Sequence, residues 1–146
     1  MNDSLVRIML VDDHPAVLAS WKLLLENNPR YAIVAECNSG ECAVTTAHRV
    51  KPDIMLLDLN MKPMDGFQVL EHLRQHEPNI KVIGMTVNNL PRYARKLVSM
   101  GARGYITKTS GIDEINNGID QVIRGEFFVC EEVRVKMQPE DLSSLN

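Results

Sequence analysis

The sequence predicts a doubly wound α/β domain, a five-stranded parallel sheet in the order 2-1-3-4-5 with helices on both faces. Three observations carry that prediction. The run Ile54-Met55-Leu56-Leu57 is apolar without alternation, which fits a strand buried on both faces, and such strands belong to parallel sheets covered by helices. Short apolar runs alternate with segments of helical apolar spacing along most of the chain. Acidic, hydroxyl and amino residues follow several of those runs, and in open α/β sheets chemistry gathers outside the carboxyl ends of the strands.

Taken in order, Val6 to Val11 is the first strand, and Asp12-Asp13-His14-Pro15 turns into the first helix. Pro15 suits the first helical position, where its missing N–H costs nothing, and an acidic residue before it favours the positive helix end. Val17, Leu18, Trp21, Leu24 and Leu25 recur at helical spacing until Asn28-Pro29. Ala32 to Cys37 is the second strand, and Ser39 caps a helix whose inward face is Ala43, Val44, Ala47 and Val50. Lys51-Pro52 breaks that helix, the third strand runs to Asp58, and Asp65-Gly66 opens a helix with Phe67, Leu70 and Leu73 inward. Ile80 to Thr86 is the fourth strand, and the more polar helix from Pro91 turns Ala94, Leu97 and Val98 inward. Tyr105-Ile106-Thr107 is a short fifth strand with Lys108 at its end, and Ile112, Ile115, Ile119, Val122 and Ile123 mark a fifth helix that stops at Gly125. The domain is therefore expected over residues 1–125. Residues 126–146 are expected to be an extension or linker with one short helix near 131–137 and a polar tail.

At 146 residues, 45% of them hydrophobic and 24% charged, the chain fits one soluble domain. No apolar run approaches the roughly 18 residues of a membrane span. The N-terminus lacks a secretory pattern, so no membrane partner and a cytoplasmic location are expected. Cys37, Cys42 and Cys130 are odd in number and lack metal-site spacing, which fits a reducing compartment better than a disulfide framework; all three are read as structural. A net charge of -3 opposes nucleic-acid binding by this segment, so DNA contact would need another domain.

Strands one, three, four and five are neighbours in the expected order, which brings Asp12, Asp13, Asp58, Thr86 and Lys108 to one edge. Clustered carboxylates repel one another unless a cation sits among them, so a divalent metal is implied. Oxygen ligands with no His or Cys nearby favour Mg²⁺, with Asp13 and Asp58 binding directly, Asp12 through water, and Asn60 offering its backbone carbonyl. Asp58 is then a nucleophile toward phosphorus, Lys108 a further positive charge, and Thr86 a hydroxyl able to bond a transferred phosphoryl oxygen. Singly, each has a plainer reading. Asp12 or Asp13 caps a helix, Lys108 is a surface charge, Thr86 satisfies backbone groups and Tyr105 is packing. His72 and His76 belong to a solvated face, as do Arg92, Tyr93, Arg95 and Lys96.

With Asp12-Asp13, Asp58, Asp65-Gly66, Thr86 and Tyr105-x-x-Lys108 in this order, the chain resembles a response-regulator receiver domain of two-component systems from Val6 to Arg124, flavodoxin-like in fold. The Asp-Asp-His-Pro opening and the segment Gly125 to Val133 resemble the LuxR/NarL-type subfamily, whose receivers precede a helix-turn-helix output domain not included in this sequence. The resemblance implies that a histidine kinase donates the phosphoryl group. It further implies that Tyr105 swings inward when Thr86 moves toward the phosphate, and that residues 90–108 change shape to alter homodimerisation or output contacts. Three positions depart from the family pattern: Lys62 and Thr109 stand where proline is common, and Val87 where a smaller residue is common. Two other functions compete. A haloacid-dehalogenase-type phosphotransferase needs an acid two residues after the nucleophile, where Asn60 stands, and a constitutive scaffold would have no use for the intact Asp13, Asp58, Thr86 and Lys108.

Overall fold

The computed structural model of the chain describes residues 5–143. The elements are β1 (Val6–Val11), α1 (Pro15–Glu26), β2 (Tyr31–Cys37), α2 (Gly40–Val50), β3 (Ile54–Asp58), α3 (Gly66–His76), β4 (Lys81–Thr86), α4 (Pro91–Ser99), β5 (Gly104–Thr107), α5 (Ile112–Ile123), β6 (Phe128–Val129), α6 (Glu131–Arg134) and α7 (Pro139–Ser143). Every strand pairs in parallel within one sheet of order β2-β1-β3-β4-β5-β6. The doubly wound α/β order 2-1-3-4-5 is present, and a sixth strand is added to the five expected.

β3 occupies the centre because its sequence leaves it nowhere else to go. All five residues from Ile54 to Asp58 are fully buried. Its backbone groups pair with β1 on one side and β4 on the other. Burying one such Leu or Ile side chain stabilises the fold by about 1.5–3 kcal/mol, which fixes the position of the residue that ends the strand. Helix starts are set locally. Pro15 stands in the first turn of α1 after an extended His14, the Ser39 hydroxyl accepts the Cys42 N–H at 3.1 Å, and Asp65 and Gln68 cap α3 reciprocally. α2 packs on α3 and α1 on α5. α4 lies directly over β4, since a Cβ at Gly84 would collide with the Leu97 side chain.

Some inward assignments shift. Val17, Val44, Val50, Phe67, Val98, Ile112 and Ile123 are half-buried, Leu24 is exposed, and Val69 joins Leu70 and Leu73 in the core. The Lys108–Thr109 bond is trans, since the one cis bond among the described residues is Lys62–Pro63. No described helix is long and apolar enough to cross a membrane.

The cysteine expectation is corrected. Cys37, which ends β2, and Cys42, in the first turn of α2, form a disulfide with Cα atoms 5.7 Å apart, while Cys130 is free and buried. The Ser39-capped turn folds α2 back toward the end of β2 and brings residues five apart face to face, which a count of cysteines cannot register.

Residues 126–143 run along the edge of the sheet. Phe128 N–H donates to Arg103 O and Cys130 N–H to Tyr105 O, both at 3.0 Å, and Phe128, Val129, Cys130, Val133 and Met137 are buried. Gly118 on α5 makes room for the Phe128 ring, because a Cβ there would stand 2.7 Å from it. The helix expected near 131–137 covers Glu131–Arg134, and α7 forms within the segment expected to be a polar tail. Arg95 on α4 reaches Asp141 of α7 at 2.6 Å, and Lys96 lies over the Phe67 ring, so the basic face of α4 is partly occupied by the chain itself.

Candidate functional site

Four strand ends build the site. β1 delivers Asp12, whose N–H donates to Cys37 O at 3.1 Å, and then Asp13 and His14. β3 delivers Asp58, and Asn60 folds back so that its N–H donates to Asp58 Oδ1 at 3.0 Å. β4 ends on Thr86, and Lys108 follows β5, its own N–H held by Thr86 O at 2.9 Å. This last bond ties the two loops that carry the hydroxyl and the ammonium.

The expected groups meet. Lys108 Nζ lies 2.8 Å from Asp12 Oδ2 and 3.4 Å from Asp58 Oδ1, with both carboxylates fully buried and Lys108 nearly so. Burial pushes the Asp58 carboxyl above the usual range, with repulsion from Asp12 adding to it, and the Asn60 N–H and Lys108 oppose the rise without cancelling it. Burial acts upward on Asp12 as well, but there the Lys108 hydrogen bond and those from His14 prevail and hold it below the usual range. Asp58 Oδ2 is buried and has no hydrogen-bond partner. An unpaired buried carboxylate oxygen is costly, so a further partner at this oxygen would be stabilising.

Ligand atoms from Asp12, Asp13, His14 and Asp58 lie within 4.8 Å of one another. Three carboxylates, one of them with an unpartnered oxygen, and a single ammonium to balance them suit a hard divalent cation. One expectation is corrected here: the cluster does contain a histidine. His14 Nδ1 stands 2.9 Å from Asp12 Oδ1 and 3.1 Å from Asp13 Oδ1, between the two acids. The sequence signal was adjacency, since a residue three positions past the end of β1 is turned back toward that end by the start of α1.

Thr86 and Tyr105, the expected switch residues, are linked through a residue the sequence reading missed. Thr86 Oγ1 donates to Asn60 Oδ1 at 2.7 Å and accepts the Asn88 N–H at 3.1 Å, while the Tyr105 hydroxyl donates to Asn88 O at 2.6 Å. Asn88 thus joins Thr86 to Tyr105. The pattern Thr-x-Asn after a strand is a turn former and was the available clue. The Tyr105 ring is already fully buried, in the inward position expected of it after the swing. Burial also raises its phenol above the usual value. His72 and His76 stack on α3 away from this site, and His48 binds Glu77 at 2.6 Å at the opposite end of the sheet.

A sequence profile described as response regulator receiver domain matches residues 8–120. Among curated proteins, the transcriptional regulatory protein YdfI of Bacillus subtilis (strain 168) is 30% identical over 132 residues, covering 90% of this chain and 62% of that protein. The nitrate/nitrite response regulator protein homolog of Haemophilus influenzae (strain ATCC 51907 / DSM 11121 / KW20 / Rd) is 30% identical over 134 residues, covering 92% and 64%. The chain therefore spans somewhat less than two thirds of the length of these relatives. A LuxR-family two-component response regulator from Aurantimonas sp. SI85-9A1 superposes with a TM-score of 0.89 at 31% identity, covering 95% of this chain and 99% of that one. The response regulator RcsB in complex with DNA superposes at 0.84 with 20% identity, covering 96% and 74%, a likeness of fold alone. With its parallel sheet, its acids and lysine at one rim and a profile match over most of its length, the chain belongs to the response regulator receiver domain family, among relatives of the LuxR/NarL type.

Proposed function

We propose that the chain is a phosphorylation-dependent signalling switch in which Asp58 accepts a phosphoryl group from a histidine kinase. The observation that carries this reading is the buried, unpartnered Asp58 Oδ2, set against an Oδ1 already engaged by the Asn60 N–H and the Lys108 ammonium. Oδ2 is the oxygen left to react. Its bond to phosphorus forms as the bond from phosphorus to the kinase imidazole nitrogen breaks, and the leaving ring keeps the electron pair and takes a proton from water. Lys108 balances charge on the transferred oxygens. Asp13 and Asp58 directly, Asp12 through water and Asn60 through its backbone carbonyl would hold a Mg²⁺ ion, which supplies two positive charges beside the phosphoryl group.

Thr86 then exchanges its bond to Asn60 Oδ1 for one to a phosphoryl oxygen. Asn88, bonded to both Thr86 and Tyr105, carries that displacement to the Tyr105 hydroxyl. Output follows through a second copy of the chain or through a DNA-binding domain outside it, and the reaction is placed in the cytoplasm with no membrane contact. The chain catalyses only its own phosphorylation and dephosphorylation. Asn60 cannot act as an acid and its side-chain oxygen is occupied by Thr86, which speaks against a haloacid-dehalogenase-type phosphotransferase.

The test is to add Mg²⁺ and a small acyl phosphate and weigh the intact protein. A stable gain of one phosphoryl group, absent in Asp58→Asn, is expected. Phosphate release that continues with no phosphorylated protein accumulating would mean an enzyme, and an unchanged mass without phosphate release would mean a phosphorylation-independent scaffold.

A further inference from the structure

One carboxylate outside the site bridges two of the loops that form it. Glu132, at the start of α6, accepts the Thr107 hydroxyl at 2.8 Å, the Thr109 hydroxyl at 2.9 Å and the Asn89 amide at 2.8 Å. Thr107 and Thr109 flank Lys108, and Asn89 follows Asn88, the residue bonded to both Thr86 and Tyr105. The bond to Asn89 comes first among the causes that hold the Glu132 carboxyl below its usual range, followed by those to Thr107 and Thr109. No other described side chain bonds both the loop after β4 and the end of β5, and this one belongs to the segment that continues beyond the sheet.

We propose that Glu132 is a positioning residue that clasps the C-terminal segment to both switch loops, and that phosphorylation of Asp58 opens the clasp. The proposal rests on the phosphoswitch reading. When Thr86 turns to the phosphoryl oxygen, the Asn88 N–H loses its present acceptor and the Asn88-Asn89 turn moves, which withdraws the Asn89 amide from Glu132. α6 is then left on the Thr107 and Thr109 arm and on the main-chain bonds of β6. A modified aspartate thereby reaches residues 126–143 without any contact between them.

Coupling of this kind is reciprocal, so whatever phosphorylation does to the clasp, loss of the clasp does to phosphorylation with the same factor. The probe is beryllofluoride with Mg²⁺, a mimic of the phosphoryl group, on wild type, Glu132→Ala and Asn89→Ala. In wild type, amide exchange across 126–143 speeds up on beryllofluoride binding while the loop around Asp58 is protected. Glu132→Ala exchanges fast across 126–143 in either condition and binds beryllofluoride about fivefold or more tightly than wild type. Asn89→Ala shares the gain in affinity and keeps more protection in the free protein, because the threonine arm survives. A support role alone would loosen 126–143 and leave the affinity unchanged or lower; that result, or exchange across 126–143 indifferent to bound beryllofluoride, overturns the clasp and spares the switch. Failure of wild type to protect the Asp58 loop at all overturns both.

Discussion

The two rims of the sheet carry similar charges in opposite surroundings. At the carboxyl rim Asp12 and Asp58 are fully buried around Lys108, whose side chain is 15% exposed. Near the other end, Glu77, its own side chain 11% exposed, is bridged by His48 and Lys51, whose side chains stand in solvent at 75% and 61% exposed. Coulomb attraction alone does not separate them, since the lysine contacts are 2.8 and 2.9 Å. Desolvation does. In water an ion pair contributes little because the solvent would have served each charge nearly as well, whereas buried charges lose that alternative and depend on one another. Similar pairs therefore contribute less at the rim where the cations are solvated than at the rim where both carboxylates are fully buried.

Removing Lys108 tests this contrast most severely. Lys108→Ala leaves two buried carboxylates facing each other, and urea unfolding should show a loss of about 3 kcal/mol. Added Mg²⁺ should recover part of it by binding the folded state. A loss no greater than that of a Glu77 variant would erase the contrast. Next in size is the Cys37–Cys42 bridge beside Asp12. Closing so short a loop restricts the unfolded chain by about 2 kcal/mol, so a reductant should lower the urea midpoint of wild type and leave Cys37→Ser unaffected.

Asp58→Asn should go the other way. Because the folded Asp58 pKa is raised, its ionisation opposes folding: its contribution is whole below the unfolded value and lost as pH rises through the folded one. Asp12 has the opposite sign, contributing above the unfolded value and losing that contribution as pH falls through its lowered folded one. Asp58→Asn is thus expected to exceed wild type by about 1–2 kcal/mol at neutral pH, with the two converging toward the ordinary carboxylate pKa of about 4. A constant gap down the pH series would refute the assignment. Glu77→Gln should do least: a small drop in midpoint that fades as salt is added and as pH falls through the lowered Glu77 pKa.

The same contrast, local against distant, explains what could be read from the sequence. β3 and its terminal Asp58 were legible because four apolar residues in a row allow little else, and the caps at Ser39 and Asp65 because their partners are three residues away. Strand alternation then brought Asp12, Asp13, Thr86 and Lys108 to one rim. His14 escaped because no partner for it stands at a regular spacing in the sequence, and its ring folds back between the two acids just before it. β6 escaped because two residues have no period. Glu132 lies 25 residues from Thr107 and 43 from Asn89, so no local pattern could have named it.

The gap at Gly118 has a further consequence. It admits the Phe128 ring, and that ring seats a strand only two residues long along β5. An open β5 would present a row of unpaired amides and carbonyls, the sort of border on which chains add to one another and aggregate. A side chain at 118 would crowd that ring and loosen the strand that covers the border, so the cover over this edge leans in part on one absent methyl group on a helix.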